Sequence, residues 1–290
     1  VNSFAHRLEA LGARLLFALF NLLPLDAASA LGGFLARTIG PRLGASKRAV
    51  INLRRAMPEL SEEEIRRIVR GMWDNLGRVV AEYPHLGRFR VYEKGGRVEH
   101  VGTELVDPIL AAGRPILFVS AHFGNWEVAT LAATQRGLEV AQIYRAANNP
   151  RVDALVTEFR SIVGSELIPK GTVAARRSME ALKEGRHLAL LVDQKMNDGI
   201  PVPFFGRDAM TAPAVAQLAM RYDAAIVPAR VERLRGAHFR LTVFPEIEQP
   251  RTGDRRADTR EIMARVNAVI ESWIRERPEQ WFWLHRRWPD

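Results

Sequence analysis

The apolar positions of this chain fall into two regimes. From about residue 103 onward, short apolar runs bounded by glycine, proline or charge alternate with stretches in which apolar residues recur every three or four positions. The short runs predict strands at 116–120, 140–144, 167–168, 188–192, 225–232 and 239–247. The periodic stretches predict helices at 126–135, 153–163, 173–184, 213–222 and 257–276. This alternation predicts an α/β domain with a mixed, largely parallel sheet flanked by helices, whose functional loops lie at the carboxyl ends of the strands.

Residues 1–95 follow the other regime and are expected to form a separate helical region ahead of an α/β domain at 96–290. The apolar stretch "LLFALFNLLPL" at 15–25 is interrupted by Asn21 and Pro24, and it falls short of the roughly 20 apolar residues that cross a bilayer. Arg7, Arg14 and the "DAASA" at 26–30 loosely imitate a secretory signal. Because the apolar pattern resumes at once with "LGGFLARTIG", a retained helical hairpin is expected. Further on, "PELSEEEIRRIVRGMWDNLGRVVAEY" reads as a helix that Ser61 caps, with Glu62, Glu63 and Glu64 in its first turn and Ile65, Ile68, Val69 and Met72 on its buried face. The turn-rich, alternating "GRFRVYEKGGRVEHVG" at 87–102 predicts a short hairpin leading into the second region.

Composition narrows the class of partner. Lys and Arg number 42 against 33 Asp and Glu, a formal charge of +9, so the surface attracts anions: nucleic acid, anionic lipid, phosphorylated substrates or acidic carrier proteins. Residues 1–60 hold eight Lys or Arg against three acids, +5 in a fifth of the chain. Apolar helices flanked by such cations predict a region lying on, or shallowly inserted in, a membrane surface; amphipathic helices packed on the rest of the protein are the plainer alternative. The chain has no cysteine, which excludes disulfides, thiol nucleophiles and Cys-based metal sites.

The candidate chemistry sits in "SAHFGNWE" at 120–127, where a strand end turns into a helix. Imidazole is the usual general base near neutral pH, and a carboxylate on its other nitrogen fixes the tautomer. His122 and Glu127 therefore form a candidate base and orienter for deprotonating a hydroxyl. The plainer alternative is that His122 caps the helix and Glu127 favours its N-terminus. No G-x-S-x-G elbow, phosphate-binding P-loop or H-E-x-x-H zinc pair is present, and neither a metal nor an organic cofactor is expected.

In the context "HFGNWE", the H-x4-E spacing resembles the His-x4-acid motif of the lysophospholipid acyltransferase superfamily, and more narrowly the lipid A biosynthesis acyltransferases of Gram-negative bacteria, the lauroyl and myristoyl transferases. Further blocks are similar in the same order: "NLRRAMPELSEEE", "YRAANNPRVD", "FRSIVGSELIP", "LLVDQKMNDGIPVPFFGRDAMTAPAVAQLA", "IVPARVER" and the terminal "PEQWFWLHRRWPD". The resemblance covers nearly the whole chain. At Asp193 and Gln194 the chain has "DQ" where the glycerolipid branch carries an F-P-E-G-like motif, a departure that favours the lipid A type.

The resemblance implies transfer of a fatty acyl chain from acyl carrier protein to a hydroxyl of a phosphorylated glycolipid, a lipid A precursor, at the cytoplasmic face of the inner membrane. His122 would be the base and Glu127 its orienter. Asn125 or nearby backbone amides would stabilise the oxyanion. Arg145 and Arg160 are candidates for binding phosphate, since a guanidinium fork matches phosphate geometry; salt bridges to Asp153 or Glu158 are the alternative. Asp193 and Gln194, ending an apolar strand, are candidate substrate contacts. The "PFFG" at 203–206 is a candidate acyl groove or core, and Trp281, Trp283 and Trp288 beside Arg286 and Arg287 suit a headgroup interface or a core seal.

Two other readings remain open: a superfamily acyltransferase acting on another acceptor, such as a lysophospholipid, an aminolipid or a mannosylated inositol lipid, and a non-catalytic basic protein that binds membrane or nucleic acid. The chain lacks the interleaved aromatic and base-reading pattern of nucleic-acid binders, so no nucleic-acid partner is expected.

Overall fold

The computed structural model describes residues 4–288. Helices α1 (Phe4–Leu22) and α2 (Leu25–Ile39) form the expected N-terminal hairpin, followed by α3 (Ser46–Ala56) and α4 (Glu62–Glu82). Strand β1 (Val98–Val101) and helix α5 (Asp107–Ala111) lead into β2 (Ile116–Ser120), α6 (Glu127–Gln135), β3 (Val140–Tyr144), α7 (Pro150–Ser161), β4 (Glu166–Pro169), α8 (Thr172–Lys183) and β5 (His187–Leu191). A hairpin of β6 (Ile200–Phe204) and β7 (Arg207–Thr211) precedes α9 (Ala214–Tyr222), β8 (Ala225–Arg235), β9 (His238–Val243) and α10 (Arg255–Glu276).

Seven strands form a mixed sheet in the order β1-β9-β8-β2-β5-β3-β4, and every neighbouring pair is parallel except β8 with β9. The α/β reading, largely parallel with flanking helices, therefore holds. Register matters most between β2 and β5. Ser120 pairs with Leu191, and the Val192 amide donates to the Ser120 carbonyl at 3.0 Å. Both strands thus deliver their next residues to the same end of the sheet. Strands β2 and β5 are buried on both faces, as parallel strands covered by helices must be.

The N-terminal helices share this core. Ala49, Leu53, Ile65 and Met72 lie in one buried cluster with Leu117, Leu188, Ile262 and Trp273. Helix α4 starts with the expected cap: Ser61 Oγ accepts from the Glu64 amide, and the Glu64 carboxylate accepts from the Ser61 amide. It crosses α2 where Gly32 and Gly77 meet; a Cβ on Gly77 would stand 2.2 Å from the Gly32 carbonyl oxygen. Only two glycines let the backbones approach this closely.

Helix α1 buries Ala10, Phe17 and Phe20 and exposes Phe4, Leu8, Leu11, Leu15, Leu19 and Leu22, an apolar stripe left uncovered among the described residues. Among the described residues, no helix is long and apolar enough to cross a membrane.

Three expectations about elements need correction. Residues 87–102 form no hairpin: only β1 is a strand, and it pairs in parallel with β9. The Val91 amide is taken by the Gln135 side chain at 2.9 Å, which leaves no partner strand. Strand β9 stops at Val243 rather than 247, with Pro245 just beyond it. The β6–β7 hairpin is an addition to the expected strands; its Pro201 and Pro203 are tolerated because it is a two-stranded ribbon with both prolines exposed. Its turn sets Phe205 at φ 54° and Gly206 at φ 66°, the mirror-image turn that hairpins favour.

The aromatic terminus is core. Trp281, Trp283 and Trp288 are buried, and Phe204 stacks on Trp288 with centroids 5.6 Å apart. Arg287 is fully buried, donates to Met210, Thr211 and Asn267, and burial pulls it down to about 10. The headgroup reading of this segment therefore fails; its last two residues lie outside the described ones.

Candidate active site

Strand β2 ends at Ser120, helix α6 begins at Glu127, and the six residues between form a turn held from three sides. From β5 comes Asp193: its Oδ2 accepts the His122 backbone amide at 2.9 Å, and its Oδ1 lies 2.8 Å from His122 Nδ1. From the C-terminal segment, the Phe282 amide donates to the His122 carbonyl at 3.1 Å, and the Gly124 amide donates to the Gln280 carbonyl at 3.1 Å. From α4, Asn75 Nδ2 donates to the Gly124 carbonyl at 2.9 Å. Gly124 itself sits at φ 56°, and a Cβ there would stand 1.9 Å from the Val231 carbonyl oxygen.

An ionised carboxylate can only accept, so Nδ1 of His122 donates to Asp193 and Nε2 is left as the basic nitrogen. The Asp193 side chain is fully buried. Burial alone pushes its carboxyl up, but the charge and hydrogen bonds of His122 outweigh that and hold it well below the usual carboxylate range. Trp281 Nε1 donates a third bond to Asp193 Oδ2 at 2.8 Å. The His122 ring keeps 18% of its surface exposed, and its Nε2 faces the Gln194 amide at 3.5 Å.

The carboxylate on the imidazole is thus Asp193, and the expected pairing of His122 with Glu127 is corrected. Glu127 is 1% exposed, and its Oε1 is already occupied. It accepts from Tyr83 Oη at 2.8 Å, Trp126 Nε1 at 2.9 Å, and Arg160 Nε and Nη2 at 3.0 and 2.6 Å. Burial raises the Glu127 carboxyl, and the Arg160 guanidinium reverses this, leaving it below its ordinary value. Tyr83 is driven strongly upward by burial and by the Glu127 charge, so it stays a neutral donor. Glu127 reaches the site through its neighbours: the Trp126 ring lies 5.1 Å from the His122 ring, and Arg160 packs over Tyr144 at 5.6 Å.

A cleft of about 340 Å³ opens over His122. Arg145, Arg160 and Gln194 line it, as does Lys170, which follows β4 and which the sequence pattern did not single out. Arg145 is exposed at its lip, and among the described residues its side chain donates one hydrogen bond, to Asn148 at 3.4 Å. Burial, with Arg145 adding repulsion, lowers the Lys170 ammonium from its usual value against the pull of Asp193. Arg160 lies in the wall with its guanidinium paired to Glu127, so neither Asp153 nor Glu158 is its partner.

Asn125 does not reach the cleft. It is 1% exposed and donates from Nδ2 to Glu82 at 2.8 Å, and Glu82 is also gripped by Arg233 at 2.5 and 3.0 Å. The expected oxyanion role is therefore withdrawn: the left-handed Gly124 turns Asn125 into a buried ion pair. A second, narrower space runs beneath the site between α6 and the sheet. It is apolar, lined by Phe118, Trp126, Ala129, Ala133 and Ala189, and it shares Gln142 and Leu191 with the cleft.

An imidazole fixed in one tautomer, with cationic side chains beside it in an open cleft, suits proton transfer next to an anionic group. Comparison with known proteins agrees. The family model described as bacterial lipid A biosynthesis acyltransferase matches residues 3–290. The lipid A biosynthesis lauroyltransferase of Escherichia coli (strain K12) is 29% identical over 242 residues, 81% of this chain and 76% of that protein. The lipid A biosynthesis myristoyltransferase of the same strain is 26% identical over 247 residues, 84% of this chain and 75% of that protein. A phosphatidylinositol mannoside acyltransferase of Mycolicibacterium smegmatis is 26% identical over 184 residues, 62% of this chain and 58% of that protein.

Proposed function

Given that the chain belongs to the bacterial lipid A biosynthesis acyltransferase family and is an acyltransferase, we propose that it moves a fatty acyl chain from acyl carrier protein to a hydroxyl of a lipid A precursor. The observation that carries the mechanism is the buried Asp193 on His122 Nδ1 at the floor of a cationic cleft. His122 Nε2 takes the proton of the acceptor hydroxyl as its oxygen attacks the thioester carbonyl. The C–O bond forms, the C–S bond breaks, and the proton passes to the departing thiolate. Asp193 steadies the transient imidazolium, and no acyl-enzyme is required. General-base catalysis of this kind contributes about 10² to 10⁴ in rate.

Arg145 and Lys170 are placed to bind phosphate, on the acceptor or on the donor's pantetheine arm. Gln194, beside Nε2, takes the oxyanion-donor role once given to Asn125. Glu127 and Arg160 set the wall rather than the ring. The apolar stripe of α1 and the +5 charge of residues 1–60 support residues 1–95 as a region that rests on the inner membrane's cytoplasmic face.

The similarity to a phosphatidylinositol mannoside acyltransferase favours one second reading, the same chemistry on another glycolipid. Purified protein supplied with acyl carrier protein thioesters of graded length, and offered a Kdo-bearing lipid A precursor, a lysophospholipid and a mannosylated inositol lipid in parallel, decides between them. Acylation of the lipid A precursor is expected. Acylation of another acceptor alone overturns the assignment of acceptor and leaves the chemistry standing.

A further inference from the structure

A second cleft, of about 360 Å³, lies where the C-terminal turn of α2, the middle of α4 and the end of β8 meet the turn that follows α10. It shares no lining residue with the catalytic cleft. Four arginines line it, Arg37, Arg67, Arg70 and Arg233, against two carboxylates, Asp74 and Glu279. The carboxylates do not balance the arginines. Asp74 is already shared between Arg37 and Arg78 at 2.8 and 2.5 Å. Among the described residues, Glu279 has one cationic partner within reach, Arg277, at 4.0 Å. Arg233 is neutralised from behind by the buried Glu82. Arg67 and Arg70, exposed on successive turns of α4, make no ion pair among the described residues.

A concave surface with surplus positive charge focuses its field on whatever anion enters, and guanidinium groups match phosphate best. An apolar ring stands beside the cleft, next to its lining residue Arg37. Arg37 lies over the ring of Phe34 at 5.5 Å, and Phe34 is 52% exposed. A phosphate held by arginines with an exposed aromatic ring beside it has the layout of a phospholipid headgroup and the start of its hydrocarbon. The exposed Phe34 ring beside the arginines favours a lipid, whose charged headgroup continues into hydrocarbon, over an acidic protein helix. From the charge surplus, the concavity and Phe34 together, we infer that the α2–α4 cleft is a second binding site, separate from catalysis, for the phosphate of an anionic membrane lipid.

The test is co-sedimentation of the full chain with phosphatidylglycerol or phosphatidylcholine vesicles, comparing wild type, Arg67→Gln/Arg70→Gln, and the charge-matched control Arg255→Gln/Arg256→Gln. Neither mutated pair is buried, so all three proteins are expected to melt alike. The Arg67/Arg70 pair should lose anionic-vesicle affinity by about 5-fold for each arginine removed, the control should lose markedly less, and phosphatidylcholine binding should not move. Turnover on detergent-dispersed substrate should stay at the wild-type level, since neither residue lines the catalytic cleft. Equal losses in both pairs would mean diffuse surface charge and overturn the site. Titration calorimetry with inorganic phosphate, and with acyl carrier protein, supplies the other arms: a signal that Arg67→Gln/Arg70→Gln abolishes while vesicle binding is untouched overturns the lipid assignment.

Discussion

Glu127 loads four hydrogen bonds onto one buried oxygen, and its charge balances an arginine that has little access to water. Glu127→Gln keeps the shape and removes the charge, leaving Arg160 buried without its counter-ion. The expected loss of stability is about 3–5 kcal/mol, read from urea unfolding, and Glu127→Gln/Arg160→Met should recover part of it. His285 gives a pH dependence. Burial, only partly offset by the Asp193 charge, depresses its imidazole from 6.5 to about 4. Between those values the unfolded chain binds a proton that the folded chain refuses, so this contribution is intact above pH 6.5 and falls away progressively down to about pH 4. The loss is roughly 3 kcal/mol, and thermal melts of His285→Gln should be flatter across that window than those of the wild type. His122 was legible from its position at a strand end, but its true partner was not. Asp193 lies 71 residues away, and only the adjacency of β2 and β5 joins them. Asn125 misled because the chain reverses at a left-handed glycine, which the letters "FGN" do not reveal.

At the scale of elements, the turn at 121–126 that carries His122 is a junction rather than a loop. Gly124 is its tightest point: with φ at 56° and Val231 against its back, Gly124→Ala should cost about 1–3 kcal/mol from the dihedral alone. The clash adds to this and displaces His122, so activity should fall further than the melting temperature suggests; turnover normalised to folded fraction checks it. The main alternation of strands and helices was readable because β2 and β5 are buried apolar runs and because Ser61 and Glu64 mark a helix start. The β6–β7 ribbon was hidden by its prolines. The tryptophans of the terminal segment left an interface and a core seal both open because composition cannot tell them apart; their burial and the β-bridge between Phe123 and Trp281 decide for the seal, with this segment closing over the turn at 121–126.

For the whole molecule, charge and apolar surface concentrate at one end of the sequence. The face of α1 that carries Leu15, Leu19 and Leu22 is exposed, so replacing all three with Ser should leave the melting temperature unchanged and lower vesicle partitioning about tenfold or more, given the apolar area withdrawn from the bilayer. The central claim concerns the carboxyl ends of β2 and β5, where a histidine and a buried aspartate meet beneath a cationic cleft. Its most direct test is the single-turnover rate of acyl transfer from an acyl carrier protein thioester to the lipid A precursor by wild type, His122→Ala and Asp193→Asn, each shown to be folded. A fall of about 10² to 10⁴ for His122→Ala, with a large loss for Asp193→Asn as the amide imposes the wrong tautomer, is the predicted result. Wild-type rates in either variant would contradict it.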